Sequence, residues 1–184
     1  MVELSQQIER FRGYLRLLAE AQTADRFRAR IDLSGVVQQS LWEGGRTIES
    51  AGLEDPEELP RLLRRILANN LRDEIRRATA QRRDVRLERS IETSSVRLGG
   101  LLVGDDPSPS QNAILGEQAV LVAEAILQLS EDQRQVIVRH YLAGDSVDAT
   151  AVAMSRSVPS VAGLLHRALK QLRVILERSD LEEA

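Results

Sequence analysis

The reactive groups in this chain are few. Its two histidines, His140 and His166, stand alone, with no cysteine in the sequence and no carboxylate pair at metal-ligand spacing beside them. No glycine-rich loop of the phosphate-cradling kind occurs. What remains is positive charge, gathered in two places. From Pro60 to Arg89, ten arginines meet only Asp73, Glu74, Asp84 and Glu88. The whole chain carries a formal charge of −3, so the remainder must be acidic. That asymmetry fits contact with a polyanion, and the plainer alternative is a solvated helix face laced with ion pairs. The second place lies near the end, where His166, Arg167, Lys170 and Arg173 follow one another at helical spacing. The chemistry on offer is phosphate binding rather than catalysis. No enzyme activity, cofactor or metal is expected.

The elements that must position the second group read as a helix-turn-helix. Ser130 and Gln133 form a capping box, each able to satisfy a backbone donor at the start of a helix. That helix carries Val136, Ile137, His140 and Tyr141, and Gly144 stops it. A short helix follows over about Val147 to Met154, then a tight connection at Ser155-Arg156. Ser157 can cap a third helix, with Pro159 tolerated in its first turn. Val161, Leu165, Ala168, Leu172 and Leu176 give that helix one apolar stripe, and the cations lie off it. Two short helices and a longer amphipathic one match the helix-turn-helix plan. From Ile114 onward acidic residues outnumber basic ones, ten to seven, so docking would depend on the local field of the last helix.

The chain is 184 residues long, enough for one or two compact domains. Aromatic residues are only 3% of it, so aliphatic side chains must build the core. No apolar run is long enough for a membrane span, and the amino terminus lacks a signal-peptide pattern, so a cytoplasmic protein is expected. An amphipathic helix is expected from Glu3 to about Glu20, and a second from near Ala24 through Trp42, ended by Gly44-Gly45. Thr47 to Glu58 reads as a loop. From Leu59, the residues Leu62, Leu63, Ile66, Leu67, Leu71 and Ile75 form a wide stripe with arginines between them. Asn69 and Asn70 sit mid-helix, where asparagine is mildly unfavourable and its amide is free to bond a base edge, a phosphate or a neighbouring loop. No aromatic residue lies between Pro60 and Arg89, so any flipped base would be held by arginine planes or a loop pocket near Arg82 to Arg89. Ile91 to Asn112, with its glycines and prolines, reads as a linker in which Asp105-Asp106 could mimic nucleic acid. Ser108 or Ser110 would cap the next helix, and the tail from Glu177 would fray. The fold class is all-α: two small helical domains, 1–89 and 113–184, joined by a flexible linker over 90–112.

Several of these stretches carry a family resemblance. Gly144 to Ser157, then Val161 and Leu165 through Arg173, resembles region 4 of bacterial sigma factors, nearest to the extracytoplasmic-function (ECF) group of the sigma-70 family. The resemblance implies reading of a −35 promoter element in the major groove, with Arg156, Ser157, Ser160, Ala162, Gly163, His166, Arg167 and Lys170 on or beside the DNA. Two departures stand out. Ala149-Thr150 replaces the usual acidic-plus-isoleucine pair, and Ser155 replaces the turn glycine. Ala162, Gly163 and Leu164 stand where basic residues are usual, so direct readout of guanine is thin. Ile31 to Leu41 resembles the core-binding helix of sigma region 2, with Gly35 where an acidic residue is usual. This implies polymerase contact through Asp32, Val36, Gln38, Gln39 and Trp42, although core is the better reading for Val37 and Leu41. Leu63 to Arg77 resembles the helix that melts and reads the −10 element, which implicates Arg65, Asn69, Asn70, Asp73, Arg76 and Arg77.

The partners implied are core RNA polymerase, through its clamp and flap, promoter DNA, and an anti-sigma or other inhibitory protein. Two other readings remain open. One is a stand-alone helix-turn-helix regulator whose first half dimerises or senses. The other is a sigma-like adaptor that has lost promoter recognition.

Overall fold

The computed structural model describes residues 2–28, 30–51, 58–79, 86–103 and 114–182. Among these the structure is all-α, with no strand. The first half comprises α1 (Val2–Glu9), α2 (Arg12–Gln22), α3 (Asp25–Arg28), α4 (Leu33–Ala51) and α5 (Glu58–Thr79). Then come α6 (Arg86–Val103), α7 (Ile114–Leu127), α8 (Glu131–Ile137), a π-helical segment (Val138–Ala143), α9 (Val147–Ala153) and α10 (Val158–Glu182).

The apolar stripes decide the packing. Leu15, Leu17 and Leu18 of α2 and Leu63, Leu67 and Leu71 of α5 are fully buried, each worth about 1.5–3 kcal/mol relative to exposure. One continuous cluster of buried residues runs from Ile8 to Ile175. Two glycines allow its helices to approach closely. A Cβ on Gly44 would lie 2.5 Å from Leu63 Cδ2 of α5, and one on Gly13 would lie 2.7 Å from Leu127 Cδ1 of α7. Gly44-Gly45 therefore does not end α4, which continues to Ala51. The expected first helix is also interrupted. The last turn of α1 tightens, with Phe11 N–H donating to the Ile8 carbonyl at 3.0 Å, and α2 starts again at Arg12.

The largest correction concerns Ile91 to Val103, expected as linker. The chain there is the second half of α6, packed against α2, α5, α7 and the π-segment. Leu87, Ile91, Ser94, Ser95, Leu98 and Leu101 keep helical spacing, but two inward positions are serines and the stripe is hard to see as apolar. Each buried serine has a partner. Ser95 Oγ shares a 2.7 Å hydrogen bond with the Tyr14 hydroxyl. Ser94 Oγ donates to the Leu142 carbonyl at 2.9 Å and accepts from Gln22 Nε2 at 2.7 Å. The expected pocket at Arg82–Arg83, the acidic pair Asp105-Asp106, the caps Ser108 and Ser110, the turn around Gly52 and Pro56, and the side chains of Arg86 and Arg89 lie outside the described residues. At the other end α10 runs on to Glu182, its last described side chains, Glu177 and Arg178, being exposed.

Arg64, which in sequence resembles its solvated neighbours, turns inward. It donates to both carboxylate oxygens of Glu92 at 2.7 and 3.0 Å and to the Tyr14 hydroxyl at 3.0 Å. This network ties α2, α5 and α6 together.

The helix-turn-helix forms as read. Gln133 Oε1 accepts from the Ser130 N–H at 3.2 Å, completing the capping box, and Gly144 ends the π-segment in the left-handed region at φ 82°. Ser146 Oγ caps α9 by accepting from Ala149 N–H at 3.1 Å. At the turn Ser155 adopts φ 53°, the conformation that the usual glycine accepts more readily.

Two outcomes follow from these contacts. Ser155→Gly relieves a left-handed non-glycine residue and raises stability by up to about 1 kcal/mol, visible as a Tm increase of a few degrees. Burial pushes the Tyr14 hydroxyl above its usual pKa, against the opposing influence of the Arg64 charge and of hydrogen bonds to Ser95 and Arg64. A phenol with a raised folded pKa stabilises the fold below its unfolded pKa, near 10, and that contribution disappears as pH rises through the folded value. Tyr14→Phe removes this alkaline sensitivity. It also leaves Arg64 and Ser95 short of a buried partner, costing about 1–2 kcal/mol at neutral pH. Urea titrations at neutral pH and above about pH 10 measure both effects.

Candidate nucleic-acid interface

Two surfaces carry the predicted contact residues, one on the α4–α5 pair and one on the helix-turn-helix. Asp32 caps α4, its Oδ1 accepting from Gly35 N–H at 3.0 Å. A groove of about 320 Å³ between α4 and α5 brings Asp32, Val36 and Gln39 together with Asn70, Asp73 and Arg77. Residues implied for polymerase contact and for −10 contact thus share one depression. Asn70 braces its walls by donating to Ser40 Oγ at 3.2 Å and to Glu43 Oε2 at 3.4 Å. Gln39 reaches the same Glu43, donating to Oε1 at 2.6 Å.

Val36 needs correcting. It is only 7% exposed, because α4 packs against α1, α2 and α5 and buries Val36, Val37, Ser40 and Leu41. Trp42 is 57% exposed, with the Arg46 guanidinium 5.0 Å from its ring centroid. Gln38 is exposed and accepts from Arg12 Nη2 at 2.8 Å. On α5, Arg65 and Asn69 face solvent, and Asn69 Oδ1 accepts from Arg72 at 2.8 Å. Arg76 pairs with Asp73 at 3.2 Å and Arg77 with Glu74 at 2.9 Å. Both are solvent-exposed i,i+3 pairs, which contribute little and leave the guanidinium available to a phosphate.

On the second surface, α9 and α10 are set by the caps and by a buried stripe of Val161, Leu164, Leu165, Ala168 and Leu172. Leu164 is therefore a core residue. Ser157 and Ala162 are exposed, Ser160 and Gly163 half-buried, and His166, Arg167, Lys170 and Arg173 exposed. Arg156 is engaged within the fold, forming an ion pair with Asp132 of α8. Val152 and Val158 add exposed apolar surface beside the turn.

Sequence reading passed over Arg139. It lies in the π-segment, 8% exposed, paired with Asp25 of α3 and, at 3.3 Å, with Asp145. Its Nε has no hydrogen-bond partner among the described residues. Around it a polar pocket of about 390 Å³ opens between the end of α2, the start of α6 and the π-segment. A lone arginine in an otherwise apolar run, Val136-Ile137-Val138-Arg139, is the signal that marked it. His140 Nδ1 lies 2.8 Å from the Asp145 carbonyl, and among the described residues no group of three or more metal-ligating side chains occurs.

No helix among the described residues is long and apolar enough to cross a membrane. No curated protein and no solved structure matches the chain. Residues 119–172, from within α7 through most of α10, match the family model "Sigma-70, region 4". The matched span contains the capped helix pair, the Ser155 turn and the exposed His166, Arg167 and Lys170 of α10. Across those residues, less than a third of the chain, the sequence is similar to sigma-70 region 4.

Proposed function

We propose that this chain is a sigma factor of the ECF type, cytoplasmic, which binds core RNA polymerase and directs it to a bipartite promoter. The observation that carries the reading is the coincidence of the region 4 match with a capped helix-turn-helix whose third helix exposes His166, Arg167, Lys170 and Arg173. Support from the first half is of a different kind. The α4–α5 pair offers an exposed tryptophan and amides on one helix and exposed arginines on the next, suited to a protein partner and a phosphate chain respectively. In this reading the polymerase contacts are Asp32, Gln38, Gln39 and Trp42, with Val36 supporting them from within the core. The −10 contacts are Arg65, Asn69, Asn70, Asp73, Arg76 and Arg77. The −35 contacts fall on α10, and an anti-sigma protein would act by covering either surface.

A second reading has one observation in its favour. Arg156 is tied to Asp132, and the early positions of α10 lack long donors. An adaptor that holds polymerase without selecting promoters would need neither. A stand-alone helix-turn-helix regulator would instead bind DNA without polymerase.

Run-off transcription with purified core polymerase and a promoter library separates the three. Transcripts that depend on the chain support the sigma factor. Polymerase binding without initiation supports the adaptor, and palindrome binding without polymerase supports the regulator. Within the first outcome, Arg76→Ala combined with Arg77→Ala should impair open-complex formation and leave polymerase affinity nearly unchanged. Two lost single-strand phosphate contacts would lower the log–log salt slope of opening by about 1.4. Loss of polymerase binding in the same variant would assign these arginines another role.

A further inference from the structure

Arg64 and Arg139 are both buried arginines that reach across helices, but their guanidinium edges are filled differently. Arg64 presents Nε and Nη2 side-on to Glu92, whose two oxygens accept at 2.7 and 3.0 Å. On Arg139 the same edge is half filled. Nη2 donates to one oxygen of Asp25, and Nε has no partner among the described residues. The remaining nitrogen, Nη1, reaches Asp145 Oδ2 only at 3.3 Å, longer than a charge-assisted N–H···O usually is. A buried donor left without an acceptor is costly. A carboxylate or phosphate lying along this edge would satisfy Nε and Nη2 together, in the fork geometry that Arg64 already shows.

There is room for one. The pocket of about 390 Å³ is lined by Arg139, Asp25 and Asp145, with Gln22, Thr23 and Ser90 beside them. Of the pair, Asp25 is the member able to leave. Its side chain is 52% exposed and sits on the four-residue α3, whereas the Arg139 side chain is buried in the π-segment. An anion entering in place of Asp25 brings the charge that the departing carboxylate takes out to solvent, so Arg139 is never left uncompensated.

We propose that this pocket is a binding site for a small oxyanion, a phosphate or a carboxylate, which takes the place of Asp25 on the Nε–Nη2 edge of Arg139. The proposal is independent of promoter binding. Because Asp25 belongs to the first half of the chain and Arg139 precedes α9, an occupant unfastens α3 from the helix-turn-helix.

Isothermal titration of the full chain with inorganic phosphate, and separately with acetate, at constant ionic strength tests the site, and the tighter binder names the class. The native chain should bind at least one of them. Asp25→Asn removes the internal competitor and should tighten that binding about fivefold or more. Arg139→Lys keeps the charge without the fork and should bind neither anion, and Arg139→Met should behave likewise; circular dichroism checks that each variant is folded. Amide exchange across α3 should rise when the anion binds the native chain and stay constant in Arg139→Met. No binding by the native chain or Asp25→Asn, equal binding by the Arg139 variants, or an Asp25→Asn no tighter than native overturns the proposal. Binding without the rise in α3 exchange contradicts the displacement of Asp25.

Discussion

The Leu142 carbonyl, inside the π-segment, accepts from Ser94 Oγ at 2.9 Å and from Arg97 Nη1 at 3.3 Å, both on α6. Beside it Arg139 pairs with Asp25 from the first half of the chain. These bonds matter because the helices they anchor are short. α9 has seven residues, and α8, seven residues continued by a six-residue π-segment, only just reaches the ~12–15 at which an isolated helix becomes marginal in water. Their stability must come from tertiary packing: α10 packs against both, and the π-segment that continues α8 is seated on α2 and α6, within a cluster that includes Leu98, Ile126, Ile137 and Leu142. An arginine as buried as Arg139 is tolerated only because carboxylates and the Asp145 turn surround it. Both the placement of α9 and the exposure of α10 derive from this seam.

The two candidate surfaces differ in how they hold their charge. On α5 the exposed arginines Arg76 and Arg77 are engaged in local pairs that a phosphate can displace. On α10, Arg167 lies back over a glycine and has no ion-pair partner among the described residues. Arg64 and Arg139 show that an arginine in this chain is not by itself a mark of nucleic-acid contact, since both are buried and paired within the fold.

Much of the helix-turn-helix was legible because its signals are local. The Ser130–Gln133 box, the stop at Gly144, the cap at Ser157 and the stripe from Val161 to Leu172 each act within a few residues, and the fold has them where the sequence puts them. What was not legible depends on distant partners. Gly44 looks like a terminator until Leu63 is placed against it, and α6 looks like a linker until Ser94 and Ser95 find Leu142 and Tyr14. Val36 looks like a partner contact until α5 closes over α4. Spacing placed the cations of α10 off its apolar stripe, and only the resemblance implied a contact role for them; the return of Arg167 over Gly163 depends on a side-chain direction that a sequence does not display.

The helix-turn-helix is seated on the first half of the chain through one shared core. Native-state amide hydrogen exchange tests it directly, because amides that open together report the same free energy. The slowest amides of α2, α6 and α10 should share one opening free energy and shift together when denaturant is added. If α8 to α10 remained protected while α2 and α5 exchanged freely, the shared core would be contradicted.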